Sequence, residues 1–302
     1  MKIAVTGSSG LIGTHLVAAL RADGHEVLRL VRRTPRTADE HRWDPQHRRI
    51  DPTLLSDVDA VVNLAGTPIR PRPFTAGYKE QLRSSRLDST ATVSEALAAA
   101  AAADPGRRRV LLSASAVGYY GDTGDREVQE DAPPGNDFLA RLCVDWEAAT
   151  RPAEDAGVRV VHLRTGLVVG RDAMLVRILG LVFRAGLGGR MGSGRQYWPW
   201  ISLDDEVDAI RFLLTADVSG PVNLTGPRPV PNAEFVRRLA AAVHRPAVLP
   251  VPGPVLALAL GEFGRSSVLA GQRAVPAVLE RAGYRWTHPD LDDALRAALQ
   301  RG

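Results

Sequence analysis

The stretch IAVTGSSGLIG, Ile3 to Gly13, joins a short apolar run to three glycines spaced three apart and then to an amphipathic segment. It reads as a strand, a phosphate-binding turn and the start of a helix. Gly7 permits the tight turn, Gly10 lets a pyrophosphate approach the backbone, and Gly13 lets the helix lie against the strand. Free N–H groups at the helix start attract the anion. Glycine-rich turns are common, so the context decides. Leu11, Ile12, His15, Leu16, Ala19 and Leu20 follow at helical spacing, and Asp23-Gly24 stops the pattern.

Outward from this unit, Glu26 to Val31 reads as the second strand, ending in Arg32 and Arg33. An NAD-preferring fold places a carboxylate about 20 residues after the glycines, for the ribose hydroxyls. Two guanidiniums stand here instead. They suit a 2′-phosphate through charge-assisted, bidentate hydrogen bonds, which predicts NADP(H) over NAD. The competing reading is a pair of solvated loop arginines.

Asp59 to Gly66 (DAVVNLAG) is an apolar strand ending in small residues, where a ligand lies against Ala65 and Gly66 or the backbones simply pack. A long helical pattern runs from Ala76 to Ala103 and ends at Asp104-Pro105-Gly106. Val110 to Ser113 begins the next buried strand, which opens into Ser115, Tyr119 and Tyr120. These hydroxyls fall at the carboxyl end of a central strand, the edge where doubly wound sheets bind ligands, and are the candidates for catalysis. Capping and packing are the alternatives. Asp122 to Gly135 is an acidic loop, Phe138 to Ala156 the next helix and Val158 to Leu163 the next strand. The alternation predicts an α/β protein with a doubly wound parallel sheet.

Beyond Gly170 the pattern changes. Residues 180–195 are rich in glycine and carry Arg184, Arg190 and Arg195, a flexible basic stretch that either closes over an anionic substrate or is only a loop. Tyr197 to Ile201 is strand-like, Asp204-Asp205 reads as a helix cap, and Pro221 to Leu224 and Ala247 to Val251 read as strands. Helical patterns cover Ala233 to Val243, Val255 to Leu260, Pro276 to Ala282 and Leu291 to Leu299.

Composition sets the outer limits. The 302 residues suffice for one large α/β domain with a smaller attachment, and 45% hydrophobic with 24% charged residues argues against wholesale disorder. The formal charge of +4 is spread along the chain without a basic block, so nucleic acid is not an expected partner. One cysteine, Cys143, excludes an internal disulfide and a multi-cysteine metal site, so no metal is expected. The chain enters a strand at once without a leader pattern, and Val251 to Leu260 is too short to span a bilayer; a cytoplasmic protein without membrane attachment is expected. Lys2 and Lys79 are the only lysines.

The order of motifs resembles the extended short-chain dehydrogenase/reductase superfamily: Gly7 to Gly13, Asn63 to Gly66, Ser113 to Gly121, Leu163 to Gly166 and Ile201 to Asp205. Ser85-Arg86, Gly192 to Tyr197 and Gly271 to Pro276 look like its atypical branch of "epimerase family", sugar nucleotide epimerase-like proteins. The resemblance implies a Rossmann domain over 1–168, with 204–225 returning to it, and a smaller mixed α/β substrate-side domain over 169–203 and 226–302. It carries Gly7, Ser8, Ser9, Gly10, Leu11 and Ile12 to the pyrophosphate, counts Gly13 in the same cofactor-binding turn, and carries Arg32, with Arg33 weaker, to the 2′-phosphate of NADP(H). It puts Leu64, Ala65, Gly66 and Ser113 beside the cofactor. Arg86 stands where the superfamily has an asparagine, and either reaches a phosphate or holds the helix.

The departure is in the catalytic machinery. The superfamily's tyrosine falls at Phe138 and its lysine at Leu142, neither of which titrates; Lys79 has Thr75 four residues earlier, so spacing supplies no other pair. Ser115 alone survives. A proton donor then comes from Tyr119 or Tyr120, and with no lysine nearby a phenol, free pKa about 10, serves better as acid than as base. The expected activity is NADP-dependent reduction or epimerase-like chemistry on a small molecule, an anionic one where the Gly/Arg stretch closes over it, by a monomer or homodimer; a non-catalytic NADP(H) sensor is the alternative.

Overall fold

Ile3, Ala4 and Val5 are fully buried in β1 (Lys2–Thr6) because both faces of the strand are covered. The computed structural model describes residues 1–184 and 188–299. Around β1 lie β2 (Glu26–Val31), β3 (Glu40–Arg42), β4 (Ala60–Asn63), β5 (Val110–Ala116), β7 (Arg159–Thr165) and β11 (Gly220–Leu224). They form a seven-stranded sheet in the order β11-β7-β5-β4-β1-β2-β3. Every neighbouring pair is parallel. Such a sheet needs a helix layer on each face. Ile3, Val5, Val62 and Leu112 pack on one side with α1 (Leu11–Ala22) and α6 (Leu203–Thr215). Ala4, Val61 and Leu111 pack on the other with α2 (Ala76–Ala103) and α4 (Arg151–Asp155). The fold is the Rossmann doubly wound sheet that the motifs imply.

A second core lies outside the sheet. It joins Val176 and Phe183 of α5 (Met174–Arg184), Trp198 and Trp200, Phe235 and Leu239 of α7 (Asn232–Ala242), and Leu295 of α10 (Leu291–Leu299). Its strands are short: β8 (Leu167–Val169) pairs with β10 (Trp200–Ser202), and β9 (Tyr197–Trp198) with β12 (Val230–Pro231). β6 (Glu127–Val128) pairs with β13 (Arg273–Ala274), tying the loop after β5 to the C-terminal region. α8 (Gly253–Phe263) follows, and α9 (Ala277–Arg281) returns to the central sheet, with Leu279 in the core beside β11.

Several expectations change. The helix over 138–156 breaks into α3 (Phe138–Ala148) and α4, with Pro152, which has no N–H to donate, in the first turn of the second piece. The glycine-rich stretch begins inside α5; residues 185–187 of it, and the side chain of Arg184, lie outside the description. Arg190 bonds its own loop at the carbonyls of Gly192 and Ser193, and Arg195 lies 3.3 Å from Asp125. Ala247 to Val251 forms no strand, only a bridge between Val251 and Met191. The cap of α6 is Ser202, whose hydroxyl accepts from the Asp205 N–H at 3.0 Å. Asp205 instead accepts from the N–H groups of Thr287 and His288, fastening the C-terminal region to α6.

Candidate active site

The carboxyl ends of β1, β2 and β4 open into a cleft of about 380 Å³. Gly7, Ser8, Ser9 and Gly10 form one wall, Leu64, Ala65 and Gly66 another, and Arg32 with Trp43 and Pro45 the far end. Gly7 sits at φ +64°, and a Cβ there would meet the Leu64 carbonyl. A Cβ on Gly13 would strike the Gly7 carbonyl oxygen. The Gly10 N–H donates to Gly7 at 2.9 Å, closing the turn. α2, α3 and α6 have side-chain caps at Thr75, Asp137 and Ser202, but α1 starts at Gly10 with none. Its first N–H groups are thus left for an anion, and the cradle fits a dinucleotide phosphate. Leu11 and Ile12 pack their side chains into the core, so only their backbones face the turn.

Thr6 organises the wall opposite. Its hydroxyl donates to Asn63 at 2.7 Å and accepts from the N–H groups of Leu64 and Ala65 at 3.0 and 3.1 Å. Asn63 and Trp146 both donate to Thr90 at 2.9 Å, fixing α2 and α3 to this edge. The motif reading named neither Thr6 nor Thr90, since one closes a strand and the other sits mid-helix.

The two arginines after β2 separate. Arg32 lines the cleft, and no described carboxylate pairs with it. Arg33 turns to Glu40 through two bonds of 2.7 and 2.6 Å, holding that carboxyl well below its usual range. Its structural role is to staple β3. Arg86 is buried, donates to the carbonyls of Thr67 and Leu82 at 3.1 Å, and lies 4.9 Å over Trp146 and against Gly66. Burial lowers its pKa, and no described carboxylate balances it.

Past the cleft, β5 carries the hydroxyl cluster. Ser113 is buried opposite Asn63 and His162 in register, and its Oγ has no partner among the described residues. Ser115 donates to Glu147 at 2.7 Å. Arg164, at the end of β7, grips the same carboxylate from Nε and Nη2 at 2.8 and 2.9 Å. Its guanidinium lies 3.5 Å from the centroid of the Tyr119 ring. Tyr119 is half-buried, and its hydroxyl makes no hydrogen bond to the described residues. Tyr120 is different. Its hydroxyl donates to Asn223 at 2.7 Å and accepts from Arg164 at 3.0 Å, and burial pushes its pKa up to about 12. Its proton is thus directed to Asn223, whereas that of Tyr119 has no acceptor among the described residues. Glu147, Arg164 and Asn223, spread over three elements, gave no spacing signal.

Phe138 and Leu142, in the places of the missing pair, pack with Phe74, Tyr78 and Leu82. Lys79 stands 4.9 Å over the Phe138 ring, paired with Glu262 at 2.6 Å.

A parallel sheet with an uncapped glycine turn at its carboxyl edge defines a Rossmann dinucleotide-binding protein. The chain belongs to the NAD dependent epimerase/dehydratase family, whose model matches residues 3–245, and a domain of unknown function (DUF1731) matches 251–298. It is 50% identical to Epimerase family protein Mb2239 of Mycobacterium bovis over 99% of this chain and 98% of that protein. Against Epimerase family protein SDR39U1 of Bos taurus the identity is 38%, over 99% of this chain and all of the relative. The crystal structure of human epimerase family protein SDR39U1 (isoform 2) with NADPH superposes with a TM-score of 0.85 at 32% identity, over 99% of both chains. No described helix is long and apolar enough to cross a membrane.

Proposed function

We propose that the protein is an NADP(H)-dependent oxidoreductase or epimerase-like enzyme acting on a small molecule. The observation that carries the cofactor choice is Arg32, a guanidinium at the far end of the glycine cradle with no carboxylate partner among the described residues. Gly7 to Gly13 hold the pyrophosphate through backbone N–H groups, Arg32 takes the 2′-phosphate, and Leu64 to Gly66 flank the chain of the cofactor. Arg33, engaged by Glu40, contributes little. Arg86, a buried cation with no carboxylate partner among the described residues, adds positive charge behind Gly66, and Ser113 offers a hydroxyl beside the nicotinamide end. Residues 1–168 and 204–225 form the cofactor half, and 169–203 and 226–302 the substrate side, of a monomer or homodimer.

When bound, the dihydronicotinamide supplies a hydride. The chain supplies the rest: Tyr119 holds the proton for the substrate oxygen, and Ser115 orients the reacting group. Support for Tyr119 is its free hydroxyl and its clamp by Arg164. The human relative's NADPH supports the cofactor. Mixing NADPH-loaded protein with a panel of small carbonyl compounds, and following loss of nicotinamide absorbance, tests the reading. Turnover that Tyr119→Phe abolishes is the expected result. Tight NADPH binding with no turnover on any compound favours a sensor instead.

A further inference from the structure

Arg86 carries a charge that its contacts do not use. The residue is only 8% exposed, and no described carboxylate pairs with it. One nitrogen makes both of its hydrogen bonds: Nη1 donates to the carbonyls of Thr67 and Leu82, each at 3.1 Å. Nε and Nη2 have no hydrogen-bond partner among the described residues. Holding two carbonyls takes an N–H and not a positive charge. A guanidinium nevertheless stays protonated in a protein. The groups that act on it electrostatically are the thiol of Cys143 and the phenol of Tyr78, and burial keeps that thiol neutral, pushing it up to about 12.

The order of the strands places this charge. Arg32 follows β2, the Gly7 turn follows β1, Gly66 follows β4, and the strands neighbour one another in the order β5-β4-β1-β2. A dinucleotide with its 2′-phosphate at Arg32 and its pyrophosphate on the glycine turn therefore directs its nicotinamide half toward β4 and β5. Arg86 lies on that side. Its Cζ is 3.6 Å from the Cβ position of Gly66, a residue that lines the cleft, and its guanidinium covers the ring of Trp146 in α3. NADP⁺ and NADPH share the adenosine, the 2′-phosphate and the pyrophosphate, so Arg32 and the glycine turn act on both alike. They differ in one positive charge, on the nicotinamide ring.

We propose that Arg86 determines which oxidation state of the nucleotide the protein holds, its buried charge favouring NADPH over NADP⁺, whose ring carries a like charge. Burial matters because a charge removed from water is screened little. Epimerisation by transient oxidation starts from the oxidised nucleotide. Reduction of a carbonyl starts from the reduced one, sends the hydride to the carbonyl carbon and a proton to its oxygen, and leaves NADP⁺ to be released. The proposal rests on the preceding reading and narrows it to reduction, but its test needs no turnover.

Dissociation constants of the full-length protein for NADPH and NADP⁺ are measured by isothermal titration calorimetry in one buffer. A unit charge acting over about 10 Å at an effective dielectric near 20 alters such a ratio on the order of tenfold. NADPH is expected to bind more tightly by that factor, which raises the potential of the bound couple by about 30 mV. Arg86→Met keeps the apolar stem and drops the charge, and should bring the two constants together; Arg86→Lys should keep them apart. The wild-type ratio should also persist between about 0.05 and 0.5 M salt, as a buried charge requires, and this decides the matter if the Met variant folds poorly. Equal affinities in the wild type, a ratio that Arg86→Met leaves intact, or a ratio that collapses in salt overturns the inference. A ratio that behaves as expected in a protein that reduces no carbonyl compound leaves the inference standing and removes the oxidoreductase reading. Turnover with a ratio indifferent to Arg86 does the reverse.

Discussion

The hydroxyl of Tyr120 lies 2.7 Å from Oδ1 of Asn223, and ties the turn that follows β5 to β11, the edge strand on the far side of β7. Tyr119, its neighbour, has no such bond. The two phenols, equivalent in the sequence, thus differ in their hydrogen bonding among the described residues.

Tyr120→Phe should lower stability by about 1–3 kcal/mol, the cost of leaving a buried polar group unmatched. Tyr119→Phe should leave the denaturation midpoint nearly unchanged and reduce turnover by about 10²- to 10⁴-fold. Urea denaturation and NADPH oxidation on the same preparations separate the two. A stability loss in the Tyr119 variant alone would reverse the assignment.

Gly13→Ala places a methyl against the carbonyl of Gly7 in a turn that has no room to give. Overpacking of this kind costs about 1–3 kcal/mol. Because the strain falls on the phosphate cradle, the NADPH dissociation constant should rise as well, by tenfold or more. Gly24→Ala is the control: Gly24 also has positive φ, but nothing lies within 4 Å of its Cβ position, so that variant should keep its affinity.

Glu206 is fully buried at the start of α6, with Oε1 accepting from Thr165 at 2.8 Å and Oε2 without a partner among the described residues. Burial raises its pKa to about 8. A carboxyl raised on folding binds its proton more tightly in the native state. Its contribution is full below the unfolded pKa, about 4.3, and is lost as pH rises toward 8, with a slope of about 1.4 kcal/mol per pH unit. Glu206→Gln should therefore flatten the fall in stability between pH 5 and pH 8. Parallel melting curves for variant and wild type across that range would refute it.

The sheet was legible because its grammar is local. Apolar runs, the glycine turn and the long 76–103 helix each announce themselves within a few residues, and β1, β2 and α2 lie where the pattern put them. What escaped was set by contacts far apart in sequence. Ser115 and Glu147 are 32 residues apart, and Tyr120 and Asn223 are 103 apart. Arg33 looks like Arg32 until Glu40 claims it, seven residues on. Lys79 fails every spacing rule for the missing lysine, yet folding brings it over Phe138. Spacing along a helix sees only its own face; the α2–α3 interface combines two.

The cofactor assignment rests most heavily on Arg32, and titration of the purified protein with NADPH and NADH tests it directly. NADPH should bind at least tenfold more tightly, and Arg32→Ala should remove most of that difference while Arg33→Ala removes little, in line with about 1.5–3 kcal/mol for hydrogen bonds to a charged group. Equal affinities for the two nucleotides in the wild type, or a preference that Arg32→Ala leaves intact, would contradict the account.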